Sequence, residues 1–171
     1  MEIKYNLTEK DYLNFNLFHV KNSASATRSL NLQRYVTPLV YLIFAYIFSS
    51  IADIPFLYAA IPFLIVGILW AVFYSKYFYY TISRQTKKMI REGKNEGIIG
   101  EHTMNMTEEG IVDTNPNGET KVNWSGFIKL VEDESSLYLY NSAVSAYIIP
   151  KRDLANVEEI RQFIKSKLPN E

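Results

Sequence analysis

The residue types that most often perform chemistry are few in this chain and widely spaced. Its only histidines are His19 and His102, and it contains no cysteine. Neither histidine has a second histidine or a carboxylate at the spacing of a known metal-ligand pattern. The absence of cysteine excludes disulfides, thiolate metal sites and cysteine nucleophiles. We therefore expect neither a metal ion nor a cofactor.

The carboxylates and serines do not form a catalytic pattern either. Acidic residues cluster at Glu108-Glu109 and at Glu132-Asp133-Glu134, both in predicted turns. Such groups act as acids or bases only where a cleft perturbs their pKa. Ser125 and Ser145 lack the Gly-x-Ser-x-Gly context of an activated serine, and no glycine-rich phosphate loop occurs in the sequence. We expect a non-enzymatic protein; an enzyme acting on membrane-embedded substrates is the weaker alternative.

Two aromatic residues are candidates for contact with a partner. Trp124 and Phe127 lie within a region of predicted strands. Large aromatic side chains are frequent anchors of protein interfaces. The alternative, which we favour, is that both are core anchors of a small domain.

Five cations are candidates for contact with anionic lipid. Lys87, Lys88 and Arg91 belong to a basic segment, and Lys151 and Arg152 precede the C-terminal helix. A helix N-terminus favours anions, so the latter pair can meet a phosphate or a lipid headgroup there. The alternatives, which we favour, are a general positive-inside anchor for the first group and, for the second, solvation or a position that points toward the nearby membrane.

The segment that positions these residues is strongly apolar. Residues 35–75 contain a single charge, at Asp53, between the apolar runs 36–52 and 56–75. A membrane-spanning helix needs about 17–25 apolar residues. Pro55 disfavours helix at the preceding residue, so the sequence predicts two transmembrane helices joined by a tight turn. A buried hairpin of a soluble protein is the alternative, and a signal peptide is disfavoured because a polar segment of 34 residues precedes the first run.

The charges around this hairpin predict its orientation. Residues 1–34 have a net charge of +2, residues 76–94 have +5, and the turn has no Lys or Arg. The positive-inside rule then places both termini in the cytoplasm. Residues 95–171 have a net charge of −6, which disfavours nucleic-acid binding. The spans contain no ionisable side chain, which argues against a channel or pump.

The small residues of the spans predict how the hairpin packs. Gly67 with Ala71, and Ala45 with Ser49, form small-xxx-small pairs that let helices approach closely. We expect them to pack the hairpin against itself, with dimerisation as the alternative. The basic segment 76–94 is expected to continue the second helix and to end near Gly93.

Short elements flank the hairpin. Residues 2–7 alternate as a strand, and a helix is expected over 9–22 with Thr8 as N-cap and Asp11 in a capping-box position. Six further strands are predicted at 102–106, 111–114, 119–124, 127–131, 137–140 and 146–149. They indicate an antiparallel sheet or small barrel, which the N-terminal strand is predicted to join.

A C-terminal helix follows the last strand. Asp153 is the expected N-cap, and Pro169 is expected to end the helix. Apolar residues at helical spacing form one stripe: Leu154, Val157, Ile160, Ile164 and Leu168. The helix is therefore predicted to cover an edge or end of the sheet.

Several motifs together resemble the YcxB-like family of bacterial membrane proteins. They are Leu7-Thr-Glu-Lys-Asp-Tyr12, Thr107-Glu-Glu-Gly-Ile111, Val122-Asn-Trp-Ser125, Leu137-Tyr-Leu-Tyr140 and Ile148-Ile-Pro-Lys-Arg152. The resemblance implies a small strand-rich domain similar to the pleckstrin-homology fold and closed by a C-terminal helix. It implies no biochemical activity.

The expected protein is thus an α+β membrane protein of the bacterial plasma membrane. Residues 1–34 form a cytoplasmic strand and helix, 35–75 the transmembrane hairpin, 76–94 a basic juxtamembrane helix and 95–171 a β-rich cytoplasmic domain. We expect this domain to bind a protein partner or to scaffold a membrane complex. Self-association is a further expectation, and sensing of anionic lipid headgroups is the alternative function.

Overall fold

The computed structural model describes residues 1–92 and 98–168 of the chain. The helix ends predicted at Gly93 and Pro169, and the cation Lys94, lie outside the described residues. The chain divides into two compact units. One consists of Met1–His19 with Gln85–Glu171, and the other of Val20–Arg84.

The described residues include four α-helices and seven strands. In chain order they are β1 Glu2–Leu7, α1 Glu9–Asn22, α2 Ala24–Ala52, α3 Phe56–Arg91, β2 Gly100–Met106, β3 Gly110–Asn115, β4 Gly118–Asn123, β5 Lys129–Glu132, β6 Ser136–Tyr140, β7 Ala146–Pro150 and α4 Val157–Lys167. The strand–helix start, the two apolar helices, the six later strands and the C-terminal helix are confirmed.

The turn between α2 and α3 is fixed by local hydrogen bonds. Asp53 adopts the left-handed conformation at φ 53° and its backbone N–H donates to the Ser49 carbonyl. The Ser49 hydroxyl donates to the Ile54 carbonyl at 2.7 Å. A left-handed residue at the helix end followed by proline stops the helix, as the sequence predicts.

The two long helices pack against each other through a glycine. A Cβ atom built on Gly67 would lie 3.2 Å from the Pro38 Cβ, so a side chain there would require the neighbouring helix to shift by a few tenths of an ångström. Trp70 Nε1 donates to the Gln33 carbonyl at 3.2 Å. The expected packing of the hairpin against itself is therefore confirmed at Gly67.

Most large apolar side chains of α2 and α3 remain exposed. Ile51 is 80% exposed and Leu57 72%. Both helices are long and apolar enough to cross a bilayer, by length and composition. The prediction of two such helices is confirmed to that extent.

The strands form two antiparallel sheets. The first has the order β1-β2-β3-β4 and the second β5-β6-β7. β1 pairs with β2, with Ile3 opposite Met104, so the predicted joining of the N-terminal strand to the later strands is confirmed. The alternation of β1 places Ile3, Tyr5 and Leu7 in the core.

The helix that follows β1 begins as the sequence predicts. The Thr8 backbone N–H donates to Asp11 Oδ2 at 2.9 Å, and the Asp11 N–H donates to the Thr8 hydroxyl at 3.3 Å. This reciprocal pair is a capping box, with aspartate in the place of the usual glutamate. It satisfies backbone donors that a helix start leaves without partners.

Two boundary predictions were wrong. Asp153 does not cap α4, because Asn156 accepts from the Glu159 N–H while Asp153 accepts from the Asn6 N–H at 3.1 Å. Leu154 consequently precedes the helix. β5 begins at Lys129 rather than at residue 127, because a 3₁₀ turn at Trp124–Gly126 directs Trp124 into the core.

Candidate functional site

A buried ion pair lies between the two central strands of the first sheet. The inward-facing row of β2 includes His102, and Asp113 occupies the inward-facing row of β3. Met104 is directly opposite Asp113, so His102 is its diagonal neighbour. His102 is 6% exposed and Asp113 4%, which makes this pair a deeply buried polar contact.

Both ring nitrogens of His102 contact acceptors. Nδ1 lies 2.9 Å from Asp113 Oδ2, and Nε2 lies 2.9 Å from the Ile98 carbonyl oxygen. A neutral imidazole has one donor, whereas the imidazolium has two. The geometry therefore favours a protonated His102 that donates in both directions.

The surroundings of His102 shift its pKa upwards. Burial lowers the pKa, but the hydrogen bonds to Asp113 and Ile98 and the charge of Asp113 raise it by more. The Tyr5 ring stacks on the imidazole at 5.2 Å between centroids and 6° between planes. With both nitrogens bonded, His102 is held as one half of an ion pair and is not placed to act as a general base.

A cavity of about 410 Å³ adjoins this pair. Its lining combines aromatic, apolar and uncharged polar side chains with His102 and Asp113. Its aromatic lining residues are Tyr5, Tyr12, Phe15 and Tyr147, and Thr120 lines it from β4. The described lining contains no lysine or arginine. A volume in the range of about 300–1,000 Å³ is typical of small-molecule sites.

The hydroxyls of Tyr5 and Tyr147 at this cavity are held in their neutral form. Burial, followed by the charge of Asp113, raises the pKa of Tyr5 well above its ordinary value. Burial raises the pKa of Tyr147, again with a contribution from Asp113. The Tyr5 hydroxyl donates to Asp113 Oδ1 at 3.5 Å, which is the outer limit of a hydrogen bond.

The cations next to α4 are engaged within the protein. Lys151 Nζ lies 2.7 Å from Glu132 Oε2. Arg152 donates to Asp11 Oδ1 at 2.7 Å, to Asp11 Oδ2 at 2.8 Å and to the Asn6 carbonyl at 2.7 Å. They do not meet a helix N-terminus, since α4 begins only at residue 157.

The three earlier cations lie on the last turns of α3. Lys87, Lys88 and Arg91 are all exposed. Lys88 forms an exposed ion pair with Glu92 at 3.5 Å. This group therefore remains accessible to an anionic ligand, whereas Lys151 and Arg152 stabilise the fold.

The aromatic candidates are core residues. Trp124 is 6% exposed and Phe127 2%, and their ring centroids lie 5.7 Å apart. Trp124 Nε1 donates to the Thr107 carbonyl at 3.0 Å, so even its polar atom is satisfied internally. The core-anchor alternative is confirmed for both, and a partner must contact other residues.

His19 is separate from His102. Its Nδ1 lies 3.1 Å from the Tyr140 hydroxyl, and burial, with the nearby charge of Lys129, lowers its pKa. Within residues 1–92 and 98–168, no three metal-ligating side chains form a group that could hold an ion.

The His102–Asp113 pair is the feature that sequence reasoning missed. The alternation that places Met104 and Met106 on the inner face also places His102 there. The turn at Glu108-Glu109-Gly110 fixes the register of the following strand. The sequence signal that could have revealed the pair is an ionisable residue at an inward-facing position of each of two adjoining predicted strands.

Comparison with known proteins gives one match. No curated protein and no solved structure matches the chain. The family model described as YcxB-like protein matches residues 107–165, from the turn before β3 to the last turns of α4. The resemblance to the YcxB-like family is thus confirmed over these residues, and this part of the chain is similar to that family.

Proposed function

We propose that the protein is a non-enzymatic integral membrane protein that presents a small binding module at the cytoplasmic face of a bacterial plasma membrane. The exposed apolar side chains of α2 and α3 support the anchor. Monomeric soluble proteins rarely expose contiguous apolar patches larger than a few hundred Å², and these helices are apolar over most of their length.

The strand-rich unit has the architecture that the family resemblance implies. A four-stranded and a three-stranded antiparallel sheet precede one C-terminal helix. This arrangement supports a pleckstrin-homology-like module. Folds of this kind carry many functions, so the role must be argued from the surface of this unit.

The observation that carries the interaction role is the outer edge of β4, which pairs with no other strand of the described residues. This strand is last in the order of its sheet, and every residue except Val122 is exposed. An exposed edge can accept a further strand from another chain, with backbone hydrogen bonds supplying the affinity. The charges of Glu119 and Lys121 protect such an edge from unselective pairing.

In-cell photo-crosslinking tests this role. A photoreactive residue replaces Lys121 in the full-length chain, and the matched control replaces Lys165, which is exposed on α4. We expect a single protein adduct from position 121 that is absent from position 165. Equal adducts at both positions, or none at position 121, would contradict pairing at β4.

Membrane topology can be tested separately because the chain has no cysteine. Single-cysteine variants I54C, in the turn, and E119C, on β4, are treated with an impermeant maleimide. In intact spheroplasts we expect I54C to react and E119C to react only after permeabilisation. The opposite pattern would reverse the topology, and reaction of both in intact spheroplasts would exclude it.

Headgroup sensing is retained as a second candidate because three cations are exposed together on α3. Charges near an anionic surface contribute about 1 kcal/mol each. The triple variant K87Q/K88Q/R91Q should lose retained anionic lipid in native mass spectrometry. The control K121Q/K129Q/K165Q changes the same number of exposed cations elsewhere, and equal loss in both would remove this candidate.

A further inference from the structure

The cavity beside the His102–Asp113 pair is lined by one residue of β4, Thr120, and otherwise by residues outside that strand. Its described walls come from β1, α1, β2, β3, β4 and the segment from β6 to β7. A ligand within it would therefore be recognised by side chains, whereas a partner at β4 pairs with backbone. This ligand site goes beyond the proposed function and does not depend on it.

The most informative group in the wall is the Asp113 carboxylate. Its Oδ2 accepts from His102 at 2.9 Å, whereas the described contact of Oδ1 is with the Tyr5 hydroxyl at 3.5 Å. An ionised carboxylate has about four acceptor positions, and buried ones are normally filled by strong donors. Oδ1 is thus an acceptor that a ligand N–H can approach.

The other side chains that line the cavity favour a cationic ligand over an anionic one. The described lining contains no lysine or arginine, and the only cationic group, His102, already donates to Asp113 and Ile98. An anion would meet Asp113 without a compensating charge. The rings of Tyr5, Tyr12 and Tyr147 instead offer aromatic surfaces, to which organic cations are attracted.

We propose that this cavity binds a small organic amine, whose ammonium group donates to Asp113 Oδ1 and whose apolar body packs against the aromatic wall. The side chains of Phe15, Ala146 and Ile148 supply apolar surface for that body. The volume of about 410 Å³ suits a compact ligand such as a monocyclic amine.

Binding of the ammonium is coupled to the proton on His102. An ammonium on Asp113 Oδ1 places a second positive charge beside the protonated His102, which donates to Oδ2 of the same carboxylate, so the bound amine weakens the hold of His102 on its proton. The other titratable groups at the cavity are Asp113 from β3, Tyr5 from β1, Tyr12 from α1 and Tyr147 from β7. Affinity for the amine should therefore rise with pH, by up to about tenfold per unit across the His102 titration.

The test uses 2-phenylethylamine as probe on the full-length chain in nanodiscs. A carboxylate of similar size, 3-phenylpropionate, and the neutral 2-phenylethanol are the matched compounds. The readout is the ¹⁵N imidazole signal of His102 in the H19Q background, where it is the only histidine. We expect the amine to shift this signal saturably. The alcohol should bind at least tenfold more weakly, and the carboxylate should not bind.

Three variants locate the binding. D113N should weaken binding of the amine by at least tenfold. Thr120 is opposite Asp113 on β4 and lines the cavity, so T120W should block it while leaving the ion pair intact. K121W places the same ring on the neighbouring residue, whose side chain points to the other face of the strand, and should bind the amine normally.

The proposal is overturned by any of three results. One is equal binding of 3-phenylpropionate and the amine. The second is saturable amine binding that T120W leaves unchanged, which would place the amine in the lipid or elsewhere on the protein. The third is no saturable shift up to about 10 mM amine, a concentration corresponding to a binding free energy of only about −2.7 kcal/mol.

Discussion

Replacement of Arg152 by methionine should destabilise the strand-rich unit by about 2–3 kcal/mol. Asp11 is 3% exposed, and it accepts from both Nη atoms of Arg152 at 2.7 and 2.8 Å. Removing one partner of a fully buried ion pair costs about 3–5 kcal/mol. The Arg152 side chain is 47% exposed, and the Thr8 hydroxyl still donates to Asp11, so we expect a smaller loss.

The loss of stability should be greatest where Arg152 joins the N-terminal segment to the later strands. Arg152 also donates to the Asn6 carbonyl, at the end of β1. Unfolding can be followed by Trp124 fluorescence in a W70F background, because the chain has two tryptophans. Hydrogen exchange should be accelerated in β1 and α1, by roughly 30- to 150-fold for 2–3 kcal/mol if these elements open as one unit.

A double-mutant cycle separates the ion pair from lost packing. R152M and D11L are measured singly and together, and the double variant should be more stable than the sum of the single effects predicts by at least about 1 kcal/mol. K121M is the control, since its exposed pair with Glu119 should contribute less than about 0.5 kcal/mol.

Acid provides an independent check on the same pair. Burial raises the pKa of Asp11, but hydrogen bonds from Arg152 and Thr8 lower it by more, so the net pKa is below its ordinary value. A lowered carboxyl pKa stabilises the fold above about pH 4 and loses this effect as pH falls through the folded pKa. The R152M penalty should therefore shrink below pH 4. A penalty under about 0.5 kcal/mol at pH 7, or no coupling in the cycle, would refute the reasoning.

Three further predictions concern other parts of the chain. H102Q should destabilise by about 3 kcal/mol at pH 6. Because the folded pKa of His102 is raised, stabilisation by its protonated form is complete below about pH 6.5 and lost at higher pH, so the H102Q penalty should shrink towards pH 9 in urea titrations. G67L should separate α2 from α3 at Pro38, costing roughly 1–3 kcal/mol, whereas V66L, at an exposed position, should leave the melting temperature unchanged. In urea titrations, G110A should lower the free energy of unfolding by more than about 2 kcal/mol, because a Cβ on residue 110 would collide with a facing backbone carbonyl of β4. A change below about 0.5 kcal/mol would show that β4 moves freely away from the added methyl group.

Patterns governed by local physics were predictable from the sequence. The alternation of residues 2–7, the Thr8–Asp11 capping box and the Asp53–Pro55 break depend on neighbours within a few residues. The two apolar helices follow from composition alone. These features are confirmed because no distant contact displaces the local hydrogen bonds; Arg152 also binds Asp11, but Thr8 still donates to the same carboxylate.

Predictions failed where a side chain contacts a residue that is distant in the sequence instead of playing the role that its local pattern indicates. Asp153 has the side chain of an N-cap, but it accepts from Asn6, which is 147 positions away in the sequence. Arg152 and Lys151 look like free cations beside a helix, yet the buried carboxylate of Asp11 binds Arg152 and the exposed carboxylate of Glu132 binds Lys151. Trp124 leaves its predicted strand because the core accommodates its ring. In each case the tertiary contact outweighs a preference of about 1 kcal/mol.

The position of β1 in the sheet has a consequence for how function can be studied. β1 ends at Leu7 and its partner β2 begins at Gly100, so the whole α2–α3 hairpin is inserted between two paired strands. β1 also supplies Ile3, Tyr5 and Leu7 to the core, and Tyr5 contacts both members of the His102–Asp113 pair. A fragment that starts after the hairpin would expose the β2 edge and remove one wall of the cavity. Binding to a partner or to an amine must therefore be measured on the full-length chain, in which both ends of the hairpin continue into the same strand-rich unit.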